Sequence, residues 1–203
     1  MNKIPNYITE ELFDNIETSI REYHKGIFDA ISIKSEYWET ILDYALHKQG
    51  HKTIYERGSH KVGADIEIKN ISNGRISCKA GSLVKKSTRP AIKISSYRST
   101  QYKTLDEKLI HFDNDHEDII MSLAYIKPLR KDSFKHKYIM SVFNPLKFMN
   151  MEWEERIAKD NVVNWLTVNN IIDADIYPQH SGQLWYRVPL DTIDHKREII
   201  IDE

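Results

Sequence analysis

The spacing of apolar residues changes at Gly50, and that change limits the folds open to this chain. Before Gly50 the apolar positions recur at helical intervals. Leu12, Ile16, Ile20, Ile27 and Ile31 fall on one stripe of residues 9–31, with Thr9 as the expected N-cap and Gly26 as a point of interruption. Residues 35–49 repeat the pattern through Trp38, Ile41, Leu42, Ala45 and Leu46, with Ser35 as cap and Gly50 where a C′ glycine ends a helix. After Gly50 the period drops to two. HKTIYER (51–57), ADIEIKN (64–70) and RISCKA (75–80) read as strands, the last two joined by a tight turn at Ser72-Asn73-Gly74. A helix is expected over 96–112, strands over 118–127 and 137–144, and a helix near 152–166. Hairpin material follows: ADIYPQ, a turn at His180-Ser181-Gly182, QLWYRVPL and a final EIIID. This order predicts a mixed α/β fold with a central, mostly antiparallel or mixed sheet flanked by helices. Without repeats or linkers it reads as a single domain over 1–203: N-terminal helices to about 50, a core over about 51–145, and a C-terminal helix and hairpin over about 150–203.

Charge narrows the choice of partner. The net charge is −1, but nine Lys or Arg and no Asp or Glu lie between residues 68 and 105. An acidic run follows at once, from Asp106 and Glu107 to Asp113, Asp115, Glu117 and Asp118. Such segregation predicts a positive surface that neutralises phosphates, with the acidic remainder limiting indiscriminate binding. The lone cysteine, Cys78, excludes an intramolecular disulfide and a multi-thiolate zinc site, and it suits a reducing cytoplasm. The first residues show no apolar leader segment, and no stretch approaches the roughly 18 apolar residues of a membrane span. The expectation is a cytoplasmic protein with no membrane partner.

Alternation then decides which polar side chains share a face. On the strand at 64–70, Ala64, Ile66 and Ile68 point one way and Asp65 and Glu67 the other. On the strand at 75–80, Ile76, Cys78 and Ala80 are the apolar set, and Arg75, Ser77 and Lys79 the polar one. The short turn makes the two strands neighbours, so Asp65, Ser77 and Lys79 can meet. One carboxylate and one lysine on a sheet suit phosphodiester hydrolysis. Mg2+ takes oxygen ligands, usually one or two carboxylates plus water and a phosphate oxygen, while a lysine beside it stabilises developing negative charge or orients water. A second acid is wanting, and Ser77 stands where it would be most convenient.

The Asp65…Ser77-x-Lys79 layout resembles the PD-(D/E)xK nuclease superfamily, with Gly-Ala-Asp in place of Pro-Asp and serine in place of the second acid. The likeness covers roughly residues 36–126, and GSHKVGADI, ISCKAG and KISSYRSTQYKTLDEKLIHF together look like a short type II restriction endonuclease. The resemblance implies a restriction-endonuclease-like sheet, Mg2+ as cofactor, double-stranded DNA as partner and a homodimer that pairs two half-sites. In that superfamily a further glutamate often comes from the preceding helix, and Glu39 occupies that place here. Asp65, Glu39, Ser77 and Lys79 are therefore the expected catalytic residues. Asp65 and Glu39 are the expected metal ligands, with Glu67 or Glu56 as weaker substitutes.

Expected DNA contacts lie in the acid-free zone and in the loop ahead of Asp65. They are Ser59, His60 and Lys61; Lys85, Lys86 and Arg89; and Ser95, Ser96, Tyr97, Arg98, Gln101 and Lys103, whose hydrogen-bonding side chains suit phosphates and, for Arg and Gln, base edges. A structure-selective nuclease with the same site, such as a junction resolvase or repair endonuclease, is a second expectation. A DNA-binding protein on a degenerate nuclease fold is a third, and Ser77 is its main support.

Overall fold

A computed structural model describes residues 4–25, 29, 31–56, 64–86, 89–95, 104, 106–107, 110, 118–129, 133–144, 151–156, 163–167, 173–177, 183–193 and 195–202. Among the described residues it is a mixed α/β fold with two α-helices on one mostly antiparallel sheet. Helix α1 (Glu10–Tyr23) begins as expected, with the Leu12 amide donating to Thr9 Oγ1 at 3.2 Å. It stops at Tyr23, short of the expected Ile31, which is left 45% exposed. Helix α2 (Ser35–Lys48) corrects the expected cap. Lys34 occupies the N-cap with no side-chain bond, and Ser35 is the first helical residue. Gly50 takes the left-handed conformation (φ 82°) that ends α2.

The strands are β1 (Thr53–Tyr55), β2 (Ile66–Ile68), β3 (Arg75–Lys86), β4 (Arg89–Ser95), β5 (Ile119–Ile126), β6 (Phe134–Phe143), β7 (Trp153–Arg156), β8 (Val163–Thr167), β9 (Asp173–Tyr177), β10 (Gln183–Pro189) and β11 (His195–Asp202). Their order in the sheet is β11-β6-β5-β3-β4-β10-β9-β8-β7, with β2 beside β3 and β1 beside β2. Among the described residues only β3 and β5 pair in parallel. Thr104 and Glu107 exchange backbone–side-chain hydrogen bonds, a capping box that opens helical backbone at Asp106 and Glu107 within the span where a helix was expected.

Two readings need correction. The helix expected near 152–166 is instead the antiparallel pair β7–β8, with Trp153 opposite Thr167. Val163, Trp165 and Thr167 alternate along β8, and β-branched and aromatic residues suit a pleated surface better than a helix. The strand at 75–80 continues to Lys86 and turns back as β4, for which no strand was expected. Pro90 argues against a strand, but it stands next to the start of β4, where a missing amide is tolerated.

The main core lies between the helices and one sheet face. Leu12, Ile16 and Ile20 of α1 and Trp38, Leu42 and Leu46 of α2 are fully buried against Ile66, Ile76, Met121, Tyr138 and Ile199. Trp38 Nε1 donates to the Met121 carbonyl at 3.0 Å, which fixes the rotation of α2 over β5. At the sheet margin the Arg21 guanidinium donates to the Ile200 carbonyl at 2.9 Å, occupying a backbone acceptor of edge strand β11.

Candidate active site at the sheet fork

Strand β3 is paired with β5 from Ile76 to Ser82. On its other side β2 reaches only Ile76, and β4 joins at Ser82. Between those points the sheet forks. Gly81 stands where β4 closes in: a Cβ there would run into the Lys93 carbonyl oxygen, so no side chain fits without moving backbone.

Asp65 fills the fork. Its own amide donates to the Ile76 carbonyl at 2.9 Å, carrying the β2–β3 ladder one residue further. Its Oδ2 accepts from the Cys78 amide at 2.6 Å, Ser77 Oγ at 3.2 Å and Lys79 Nζ at 3.4 Å. The carboxylate thus takes the place of a missing strand for Cys78 N–H. Its Oδ1 accepts no hydrogen bond from the described residues. Ser77 is fully buried and Lys79 is 16% exposed, so the ion pair sits in a partly desolvated setting.

Glu39 joins this group from above. Its neighbours anchor α2 on both sides: Trp38 on β5, as described, and Thr40 Oγ1 to Tyr55 OH of β1 at 3.1 Å. Glu39 is half-buried and makes no hydrogen bond or ion pair with the described residues. Its carboxyl is raised above the ordinary glutamate range, first by desolvation and then by the negative charge of Asp65, with Lys79 acting in the opposite sense. The two carboxylates and the lysine are therefore within electrostatic reach of one another.

Two of these groups, the Asp65 and Glu39 carboxylates, are oxygen donors of the kind a hard divalent cation takes. Their mutual repulsion is the kind a cation relieves. Two carboxylates with water completing the shell is ordinary for Mg2+. Among the described residues no group of three or more His, Cys, Asp and Glu side chains converges as a metal site. Glu67 and Glu56 are both exposed, and register places Glu67 opposite Arg75.

The other expected contacts disperse. Lys85 and Lys86 lie at the distal end of β3, in register with Pro90 and Arg89. Arg89 is committed to Asp191 through bonds from Nε and Nη2, and these bonds hold the Asp191 carboxyl below its usual range. Ser95 ends β4 opposite Trp185. Ser59, His60, Lys61, Ser96, Tyr97, Arg98, Gln101 and Lys103 fall outside the described residues. Two residues beyond the expected set stand out near the fork: the Lys93 ammonium lies 4.8 Å from the centre of the Trp185 ring. The signal for Trp185 was the alternation of QLWYRVPL, which sets Trp185 and Arg187 on the face opposite Tyr186. Among the described residues no helix is long and apolar enough to cross a membrane.

Comparison with protein-family models, with curated proteins and with solved structures finds no match for this chain.

Proposed function

We propose that this protein is a Mg2+-dependent endonuclease of double-stranded DNA, acting at the β3 fork in the manner of a type II restriction enzyme. One observation carries the reading: a carboxylate, a lysine and a second, helix-borne carboxylate gather at a break in a sheet, with one carboxylate oxygen held by three donors. The residues that would hold the metal are Asp65, through Oδ1, and Glu39. When bound, Mg2+ polarises the phosphoryl group and lowers the pKa of its water. Cys78 N–H and Ser77 Oγ fix the rotation of the Asp65 carboxylate. Lys79 contributes positive charge beside the scissile phosphate, where negative charge grows as the bond breaks. The nine Lys and Arg between residues 68 and 105, in a stretch without Asp or Glu, support a polyanionic substrate.

The test is incubation with plasmid DNA in Mg2+ or in EDTA, read on a gel, for the wild type and Asp65→Ala. Sharp Mg2+-dependent bands that the variant fails to produce are the expected outcome. Intact DNA under Mg2+ and Mn2+ overturns the reading. A structure-selective nuclease with the same site is the second reading. Cleavage of branched substrates alone would replace the first reading with it.

A further inference from the structure

One turn past Glu39 on α2, at the start of β1, three heteroatoms converge that the fork does not use. Asp43 and His47 are four residues apart on α2, so their side chains stand one above the other. Thr53, the first residue of β1, comes up beside both. Its Oγ1 is 2.9 Å from His47 Nε2 and donates to Asp43 Oδ1. His47 Nε2 and Asp43 Oδ1 are 3.6 Å apart, which is outside hydrogen-bond range. The two therefore meet through the hydroxyl rather than directly. The His47 side chain is 52% exposed and that of Asp43 20%, so the cluster is open to solvent at the imidazole.

This set suits a borderline divalent cation. An imidazole nitrogen and a carboxylate oxygen bind Zn2+ at about 2.0–2.2 Å, which sets two donors of one tetrahedral ion about 3.4 Å apart. The 3.6 Å between Nε2 and Oδ1 is therefore close to the separation a bound ion needs. The Thr53 hydroxyl holds the Asp43 carboxylate, the service that outer hydrogen bonds perform for metal ligands. His47 lies in the last turn of α2, where the negative end of the helix dipole favours a cation. The adjacent ammonium of Lys48 is turned onto the Tyr44 ring, 4.9 Å from its centre. The imidazole also separates this place from the fork. Carboxylates alone suit Mg2+, which takes oxygen, whereas a nitrogen beside an oxygen suits Zn2+.

We propose that Asp43 and His47 bind Zn2+, with Thr53 orienting Asp43 and water filling the remaining positions. The ion would serve as a clip between the last turn of α2 and β1. Trp38 already ties α2 to β5, and Thr40 ties it to β1. The clip adds a third tie near the end of the helix that carries Glu39. It needs no DNA and does not rest on the nuclease reading.

The test is isothermal titration of Zn2+ into untagged protein carrying Glu39→Gln, with Mg2+ in excess to occupy the fork. Binding of one Zn2+ is the expected result. His47→Ala and Asp43→Asn, each added to that parent, are expected to weaken it by at least about tenfold, and Thr53→Val by about tenfold. Zn2+ is also expected to raise the melting temperature of the parent and to leave that of His47→Ala unmoved. Melting curves without Zn2+ show that each variant folds. Parent affinity retained in folded His47→Ala overturns the proposal, as does a parent that takes up no Zn2+. Plasmid cutting has no bearing on either outcome, so the two readings fail separately.

Discussion

Two charge clusters in this molecule have opposite balances. At the outer margin of the sheet, Arg197 of β11 is bonded to Glu10 and Asp14 of α1, lies 3.7 Å from Glu17, and stacks its guanidinium 5.3 Å from the Phe13 ring centre. Burial opposes its charge, yet the bonds to Asp14 and Glu10 outweigh that and raise its pKa. At the fork, Lys79 shares Asp65 with a serine and a backbone amide, while Glu39 stands by without a bond to the described residues and with its charge disfavoured. The first cluster is complete and fastens a helix to an edge strand. Among the described residues the second sets two carboxylates beside one lysine in a partly buried place, an arrangement that serves stability poorly. What separates the two clusters here is that the carboxylates around Arg197 are bonded, whereas Glu39 has no bond among the described residues.

The largest effect that would break this contrast is on cleavage. Asp65→Ala and Lys79→Ala are each expected to lower the rate of plasmid cutting by about a hundredfold or more, measured as single-turnover rates at saturating Mg2+. Near-normal rates in either would make the fork as structural as the Arg197 cluster.

Next is the geometry that keeps the fork open. Gly81→Ala drives a Cβ into the Lys93 carbonyl, and β4 must shift to accept it. A loss of about 1–3 kcal/mol in urea unfolding is expected, and wild-type stability would show that β4 closes on β3 less tightly than described. Arg197→Met is expected to cost about 1 kcal/mol, because Glu10 and Asp14 are exposed and such pairs are weak singly. That loss should shrink in high salt.

The smallest effect has a sign that differs between the clusters. Glu39→Gln removes a disfavoured charge, so without divalent metal it is expected to raise the melting temperature at neutral pH. Glu39 titrates higher in the folded state than unfolded. Wild-type stability is therefore fully present below the unfolded glutamate pKa and falls as pH rises through the window up to the raised folded value. The gain from Glu39→Gln should vanish below about pH 4. Mg2+ should stabilise the wild type and not the variant. A thermal-shift series across pH, with and without Mg2+, reads all three, and a lower melting temperature for the variant at neutral pH would contradict the balance described.

The sequence by itself determined whatever depends on neighbours along the chain. The change of period at Gly50 separated two helices from a sheet. Alternation at 64–70 and 75–80 was enough to bring Asp65, Ser77 and Lys79 together, since one short turn leaves two strands little choice of register. Thr9 and Gly50 marked helix ends because caps are local. Tertiary structure decided the rest. A helix was expected near 152–166, and pairing between β7 and β8 made strands of Trp153–Arg156 and Val163–Thr167. The fork arises because β3 outruns β2 and meets β4, which a strand read in isolation cannot reveal. Glu39 feels the charge of Asp65 because Trp38 and Thr40 fix the rotation of α2 over the sheet. Lys93 and Trp185, far apart in the chain, share a face only through the β4–β10 register. Backbone conformation follows local sterics and hydrogen bonding, whereas charge placement at a site depends on which strands become neighbours, and burial across the whole sheet selects those.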